Sequence, residues 1–267
     1  MYLGIDIGGT KTLIATFDSK GTLLERHKFP TPDKYLDFLR ELSATVANMS
    51  TKKWRAGCVA FPGLIDREKG IGIVCGNLPW RNVPIAHDIT KIVKCPLLIE
   101  NDANLAGLSE AMLLPKYDRV LYVTISTGIG TGIIVDRTID PEFQDSEGGH
   151  MILEHNGRRQ QWEDFASGSA IVRRFGKKAS EINDAKTWRS IAKNIATGLL
   201  DLSVVIRPQV VVLGGGVSNY LERFKPYLLE EMEHFATPLT PLPIIKKAAN
   251  PNDAVIIGCY YLAKKHA

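Results

Sequence analysis

Residues 3–12 read Leu3-Gly4-Ile5-Asp6-Ile7-Gly8-Gly9-Thr10-Lys11-Thr12, an apolar strand that runs into two glycines and three polar side chains. Gly8 and Gly9 have no Cβ, so the turn can take a positive φ angle and bring its backbone N–H groups close to an anion. The next three residues add hydroxyl and ammonium donors. This stretch therefore predicts a phosphate-binding turn, with an ordinary glycine-rich hairpin as the alternative.

A second strand follows this turn at once, over residues 14–18, and Lys20-Gly21 predicts a hairpin into residues 22–24. The pattern is strand, glycine turn, strand. It differs from the two common phosphate loops, because both of those lead into a helix. Asp6, at the end of the first strand, is a candidate ligand for Mg²⁺, either directly or through water.

The composition is that of a globular protein, with 45% hydrophobic residues in a chain of 267 and a net charge of +4. The basic residues are scattered apart from short pairs, so we expect no nucleic-acid partner. No apolar run approaches the roughly 18 residues of a membrane span, and no leader precedes the first strand, so we expect neither membrane insertion nor secretion. The four cysteines lack C-x-x-C spacing, which favours free thiols in a reducing cytoplasm.

The opening pattern recurs in the second half of the chain. An apolar strand over residues 120–125 leads into residues 126–132, which mix glycine with hydroxyl residues, and a second strand follows over residues 133–136. Two such turns in matching positions predict two halves of similar structure, with the crossover near residues 114–117.

A third group of polar residues follows a buried strand. Residues 96–99 form a continuous apolar run of the kind found in parallel sheets, and Glu100-Asn101-Asp102 stand at its carboxyl end. Open α/β sheets place their chemistry at such ends. An Asp before a helix is also a common N-cap, so the residues alone allow Asp102 to be either a cap or a catalytic group.

The rest of the chain is predicted to alternate between helices and strands. The strand at residues 209–213 ends in Gly214-Gly215-Gly216, where bare backbone allows either a flat ligand or a tight turn to the next helix. The main helices are predicted over residues 32–49, with Asp33 as N-cap, and over residues 85–93, 103–113 and 185–206.

The order of these motifs resembles the ROK family of sugar kinases and repressors, and the resemblance spans nearly the whole chain. It implies an α/β fold of two actin-like (ribonuclease H-like) domains around a central cleft: residues 1–113, rejoined by the C-terminal helix over residues 253–267, and residues 114–252. The matching motifs are residues 6–12, Pro62-Gly63, Asn77-Leu78-Pro79-Trp80, residues 100–104, residues 127–132, Glu147-Gly148-Gly149-His150 and residues 213–217.

The resemblance also implies roles for single residues. Asp102 would be the catalytic base, which takes the proton of the sugar hydroxyl that attacks the terminal phosphoryl group, and Asp6 would hold Mg²⁺. The substrate-binding set would be Gly63, Asn77, Asn101, Asp102, Glu147, His150 and Glu163. The set for the phosphates and nucleoside of ATP would be Asp6, Gly8, Gly9, Thr10, Lys11, Thr12, Thr127, Gly128, Gly130, Thr131, Gly214, Gly215 and Gly216.

One segment departs from the family pattern. Many members have a zinc-binding C-x-C-G-x-x-G-C run between the positions of His150 and Glu163, but residues 151–162 contain no cysteine. A structural zinc site needs about four nitrogen or sulfur ligands, and His150 and His155 cannot supply them. We therefore predict no zinc, and the sequence leaves open what orients the His150 ring. Packing of Trp162 and Glu–Arg pairing are the candidates for fixing this loop.

Several functions fit these motifs. An ATP-dependent glucokinase is favoured, and a polyphosphate-dependent glucokinase or a kinase for mannose, fructose, N-acetylmannosamine or allose is the alternative. A repressor is disfavoured, because the phosphate strand begins at Leu3 and leaves no room for an N-terminal helix-turn-helix. A non-catalytic sugar-binding protein is disfavoured by the intact glycine turns and Asp102. The resemblance further suggests a homodimer.

Overall fold

The computed structural model describes residues 1–267 and divides the chain into two compact units. The first unit comprises Met1–Ser109 and Asn252–Ala267, and the second comprises Glu110–Pro251. The division falls four residues before the predicted one at residue 113. Glu110 belongs to the second unit, because its carboxylate accepts hydrogen bonds from the backbone N–H groups of Ala249 and Asn250, each at 2.8 Å.

Strands and helices alternate along the chain, and no helix is long and apolar enough to span a bilayer. The strands are β1 Tyr2–Ile7, β2 Lys11–Phe17, β3 Leu23–Pro30, β4 Ala56–Phe61, β5 Gly63–Asp66, β6 Ile71–Cys75, β7 Arg81–Val83, β8 Leu97–Asn101, β9 Arg119–Ile125, β10 Ile129–Val135, β11 Thr138–Ile139, β12 Ile152–His155, β13 Arg158–Gln161, β14 Val210–Gly214 and β15 Ile244–Lys247. The helices are α1 Tyr35–Asn48, α2 Ile85–Val93, α3 Asp102–Met112, α4 Trp162–Ala166, α5 Gly168–Phe175, α6 Ala185–Ile206, α7 Gly215–Ser218, α8 Leu221–Glu233 and α9 Ala254–Lys265, with short 3-10 turns at Gly148–His150 and Ala179–Glu181.

The main sheets of the two units have the same topology. The order is β3-β2-β1-β4-β8 in the first unit and β11-β10-β9-β14-β15 in the second. In each sheet the glycine turn joins an antiparallel pair, β1–β2 or β9–β10. On the other side of β1 or β9, two further strands run parallel to it, β4 and β8 in the first unit and β14 and β15 in the second. The central strands are buried along their length, which explains their continuous apolar runs.

Helices cover these sheets and bury large aromatic side chains. In the first unit α9 packs on β1 and β4. It approaches α3 closely because Gly258 has no Cβ, and a Cβ there would lie 2.0 Å from the Leu105 carbonyl oxygen. In the second unit α6 packs against α8, and Gly198 makes room for the fully buried ring of Trp162.

Two local predictions are wrong. Helix α1 begins at Tyr35, its N-cap position is Lys34, and Asp33 instead uses its backbone carbonyl to accept the Trp80 indole N–H at 2.7 Å. The second glycine turn is also shorter than residues 126–132, because β10 begins at Ile129 and includes the last glycines of the motif. Glycine content is a poor guide to the end of a turn when the neighbouring strand tolerates glycine.

Candidate active site

The first glycine turn connects β1 to β2 in the first unit. The Gly8 N–H donates to the Lys11 carbonyl at 3.0 Å, and the Thr31 hydroxyl donates to the Gly8 carbonyl at 2.8 Å. Thr12 is fully buried, and its hydroxyl lies 2.9 Å from that of Thr31. The Thr12 hydroxyl is therefore engaged within the turn, and its contact with phosphate stays a prediction. The exposed side chains at the turn are those of Thr10 and Lys11.

Two acidic residues of the first unit interact electrostatically, Asp6 at the end of β1 and Asp102 at the start of α3. Burial, and then the negative charge of Asp102, raise the pKa of Asp6 to about 7, while the Lys11 ammonium opposes that rise. Burial also raises the pKa of Asp102, against hydrogen bonds from backbone N–H groups that lower it. Both residues keep a small exposed fraction, so a ligand can reach two carboxylates that take up protons more readily than usual.

Asn101 is the residue that caps α3. Its side-chain oxygen accepts the N–H groups of Ala103 at 2.8 Å and Asn104 at 3.3 Å, the bonds expected of an N-cap. Asp102 receives the Ala103 N–H at 2.8 Å on one oxygen and lies inside the helix as its first residue. Capping therefore does not account for Asp102. Because the side-chain oxygen of Asn101 is used for capping, its amide nitrogen is the group that can donate to a substrate.

The loop that carries Asn77 lies directly against the first glycine turn. A Cβ at Gly9 would stand 2.5 Å from the Cβ of Asn77, so only glycine permits this approach. Gly63 has a φ of +135°, and a Cβ there would stand 2.2 Å from the Val74 carbonyl oxygen. The glycines at 9 and 63 therefore shape the backbone around Asn77.

The second glycine turn connects β9 to β10 in the second unit, and a carboxylate from another element lies against it. The Ser126 N–H donates to the Gly128 carbonyl at 2.9 Å. Glu163, from the first turn of α4, accepts the Ile129 N–H at 3.1 Å. The same carboxylate oxygen stands 2.5 Å from where a Cβ at Gly128 would lie, so Gly128 makes room for Glu163.

Thr131 supports the turn that carries Glu147 and His150. Its buried hydroxyl donates to the Ser146 carbonyl at 3.3 Å and accepts the Gly148 N–H at 3.0 Å. The Thr131 hydroxyl is therefore engaged within the protein from its position in β10, and its contact with phosphate stays a prediction. Gly130 is likewise a strand residue, whereas Thr127 is exposed in the turn itself.

His150 is oriented by a neighbouring amide. The side-chain oxygen of Gln161 lies 2.9 Å from His150 Nδ1, and a carboxylate oxygen of Glu163 lies 3.9 Å from the same nitrogen. Because the Gln161 oxygen is an acceptor, Nδ1 is the donor of this hydrogen bond. The structure thus brings together Glu163, His150 and, through residues 147–150, Glu147.

The hairpin β12–β13 takes the place of the zinc-binding run. His155 lies 3.2 Å from the side-chain oxygen of Asn194 and stacks on Phe165 at 4.3 Å. Trp162 donates its indole N–H to the Asn194 carbonyl at 3.1 Å. His150 and His155 therefore have different partners, and this donor set does not fit a structural zinc ion. The absence of zinc stays a prediction.

The third glycine run follows β14. A Cβ at Gly214 would lie 2.0 Å from the Tyr122 hydroxyl oxygen. Gly215 has a φ of +81°, and a Cβ there would lie 2.5 Å from the Ile125 carbonyl oxygen. Close packing within the protein therefore accounts for glycine at both positions. Gly216 has open space around it. It lines a cavity of about 750 Å³ whose other walls are formed by Ser126, Thr127, Gly168, Ser169, Val172, Arg173, Lys178, Ala179, Ser180, Val217, Asn219 and Tyr220. Of the three glycines, Gly216 is the one placed to face a ligand.

Two residues outside the predicted site contact residues within or next to it, and the sequence predicts neither contact. Gln161 contacts His150 from 11 positions away, and Arg67 binds Glu100 from 33 positions away. Neither lies in a recognisable motif, and local spacing carries no signal for either contact.

Comparisons with known proteins identify the family and the fold. A family model described as "ROK family" matches residues 2–266. A putative fructokinase of Bacillus subtilis (strain 168) is 28% identical over 262 residues, which span 88% of this chain and 86% of that protein. A crystal structure of a ROK family glucokinase from Streptomyces griseus in complex with glucose and AMPPNP has a TM-score of 0.83 at 25% identity, over 99% of each chain.

A third similar protein is the inorganic polyphosphate/ATP-glucomannokinase from Arthrobacter sp. strain KM, with a TM-score of 0.75 at 26% identity over 100% of this chain and 99% of that one. These likenesses confirm the predicted actin-like α/β fold and the predicted family. They do not single out one sugar or one phosphoryl donor.

Proposed function

The chain belongs to the ROK family, and we propose that it is a sugar kinase that transfers the terminal phosphoryl group of ATP to a hexose hydroxyl. The observation that carries this proposal is the placement of Asp102. Its carboxylate stands at the carboxyl end of a parallel strand beside Asp6, keeps an exposed fraction, and is relieved of capping by Asn101.

In the proposed reaction the sugar hydroxyl oxygen bonds to the γ-phosphorus, the bond from that phosphorus to the bridging oxygen of ADP breaks, and Asp102 accepts the hydroxyl proton. A raised pKa makes Asp102 a better proton acceptor than an exposed Asp, provided that it is ionised at the working pH. Asp6 would hold Mg²⁺, which when bound neutralises charge on the phosphates. Lys11 and Thr10 would donate to phosphate oxygens from the first turn.

The nucleoside of ATP is proposed to bind at the cavity beside Gly216. A volume of about 750 Å³ is in the usual range for a small-molecule site. Val172, Val217 and Tyr220 supply apolar and aromatic wall for a flat ring, which an inorganic chain would not need. Lys178 on the same wall favours the alternative donor, polyphosphate, because it adds positive charge.

The sugar is proposed to contact the backbone at Gly63 and six side chains, those of Asn77, Asn101, Asp102, Glu147, His150 and Glu163. Carboxylates accept from hydroxyls, and amides both donate and accept. Glucose is the favoured substrate because the full contact set is present. Fructose, mannose, N-acetylmannosamine and allose are the alternatives.

A homodimer and a cytoplasmic location complete the proposal. Val205 and Leu239 of the second unit are 75% and 81% exposed, and Val204 and Phe235 are exposed beside them in sequence. Val204 and Phe235 line the same groove, and a contiguous exposed apolar patch is typical of a surface that another chain covers. All four cysteines are buried and unpaired, as expected in a reducing compartment.

The test is a coupled kinase assay of the purified protein across these hexoses, with ATP and polyphosphate in separate reactions. We expect turnover with ATP and Mg²⁺, highest for one hexose. Turnover with polyphosphate alone would change the donor, and binding of a sugar without turnover would favour a non-catalytic sugar-binding protein. The absence of phosphorylation with either donor would contradict the kinase assignment.

A further inference from the structure

A buried ion pair stands immediately before Asn101 and Asp102. The Arg67 guanidinium binds the Glu100 carboxylate in a two-point fork, with Nε to Oε2 at 2.8 Å and Nη2 to Oε1 at 2.6 Å. The two side chains are 19% and 6% exposed. Arg67 follows β5 and Glu100 lies in β8, so the pair joins two elements that are distant in sequence.

Glu100 also accepts hydrogen bonds from residues at the start of α3. Its Oε1 also accepts the backbone N–H of Asn101 at 2.7 Å and the side-chain amide of Asn104 at 3.0 Å. Asn101 in turn caps the helix through Ala103 and Asn104. A continuous set of hydrogen bonds therefore runs from Arg67 to the backbone on both sides of Asp102.

Stability alone is a weak reason for such a pair, because burial of both charges costs about as much as their attraction returns. The location supplies a better reason. Asp6 and Asp102 already place two carboxylates in this part of the unit. Without Arg67, Glu100 would add a third negative charge two residues from Asp102.

We propose that Arg67 is a positioning residue for the predicted base: through Glu100 it fixes the backbone at Asn101 and Asp102 and cancels the charge that Glu100 would otherwise add. The proposal rests on the proposed function, since it assigns Asp102 to proton transfer. The other titratable groups near these carboxylates are Asp6 and Cys75 facing Asp102, Lys11 facing Asp6, and Cys58 facing Glu100.

The experiment follows hydrogen exchange of the Asn101 backbone N–H, which donates to Glu100, by amide NMR. We expect Arg67→Gln to raise the exchange rate of this amide by about 10-fold, the effect of weakening one hydrogen bond. Arg67→Lys keeps the charge and loses the fork, so its exchange rate should lie between those of the wild type and Arg67→Gln. The matched control is Arg40→Gln, which breaks the exposed pair with Asp37.

The same variants are assayed for turnover. Arg67→Gln should lower kcat by about 10- to 100-fold with a smaller change in sugar KM, and Arg40→Gln should change neither. An unchanged exchange rate at Asn101 in Arg67→Gln would overturn the proposal, as would an unchanged kcat. If Arg67→Gln does not fold, Arg67→Lys decides the matter, because a wild-type exchange rate at Asn101 in that variant would overturn the proposal and a faster rate would support it. A wild-type protein without turnover would refute the kinase assignment alone, because the exchange measurement requires no catalysis.

Discussion

The two glycine turns arise from the same sequence pattern and the same sheet topology, yet they carry different chemistry. The turn before β2 ends in the exposed ammonium of Lys11 and adjoins Asp6, whose pKa is raised to about 7. The turn before β10 has no charged residue of its own, and its N–H group at Ile129 binds the carboxylate of Glu163.

The two turns therefore give different predictions for the proposed reaction. In both turns a glycine makes room for a side chain from the predicted sugar set, Asn77 at Gly9 and Glu163 at Gly128. In the proposed function, the first turn supplies charge for phosphate and metal, whereas the second turn supports Glu163 of the proposed sugar set through the Ile129 N–H. Substitution of Asp102 or Lys11 should therefore affect proton transfer or donor use, and substitutions that disturb Glu163 or His150 should affect sugar binding.

The largest effect is expected for Asp102→Asn, which keeps the shape of the side chain and removes its basicity. Turnover should fall by about 100- to 10,000-fold, while calorimetry should still detect sugar binding. Asp37→Asn, an exposed carboxylate of the same unit, is the control. If sugar binding and turnover were lost together, Asp102 would be a ligand or a structural residue.

A smaller effect is expected for Lys11→Met, which removes the charge of the first turn. Loss of a charged hydrogen bond to phosphate should raise the donor KM by about 10- to 100-fold and leave the sugar affinity near that of the wild type. Lys20→Met, in the exposed turn after β2, is the matched control. An equal loss of donor and sugar affinity would break the division between the two turns.

In the second unit, Gln161→Ala removes the partner of His150 Nδ1. We expect sugar KM to rise by about 3- to 10-fold, the value of one neutral hydrogen bond, with little change in donor KM. Gln160→Ala is a close control, since this neighbouring amide contacts His155 instead. A rise of the same size in the control would mean that the hairpin as a whole, rather than the His150 contact, matters.

The smallest effect is a change in stability from Asp6→Asn in metal-free and ligand-free buffer. The pKa of Asp6 is raised from 3.8 to about 7 on folding, so its contribution to stability is present below pH 4 and lost as the pH rises through 7. Asp6→Asn should therefore raise Tm by a few degrees at pH 8 and by almost nothing at pH 4. The same Tm difference at both pH values would contradict the raised pKa.

Much of the fold was accessible from the sequence because the strands are buried and apolar. Helices α2 and α6 have the predicted bounds, 85–93 and 185–206, since their apolar positions recur at helical spacing. Errors appear where polar residues decide the boundary. Asp33 looked like a cap, but a tertiary contact with Trp80 uses its backbone instead.

The candidate site was harder to predict from the sequence than the fold. A hydroxyl residue or a glycine has the same sequence pattern whether it contacts a ligand or packs within the protein. Thr12 and Thr131 are buried hydrogen-bonding partners of neighbouring backbone or hydroxyl groups. The contacts made by Arg67 and Gln161 depend on how distant elements meet, which no local pattern records. The motif order indicated the family, whereas the contacts of each residue required the structure.

The most direct test of the central claim is detection of the phosphate ester itself. The wild-type protein is incubated with a hexose panel, ATP and Mg²⁺, and products are followed by ³¹P NMR against Asp102→Asn as the matched blank. We predict a hexose monophosphate resonance that grows in step with ADP in the wild type and is nearly absent in the variant. Release of inorganic phosphate without a sugar ester, or an ester formed equally by both proteins, would contradict phosphoryl transfer to a hexose with Asp102 as the base.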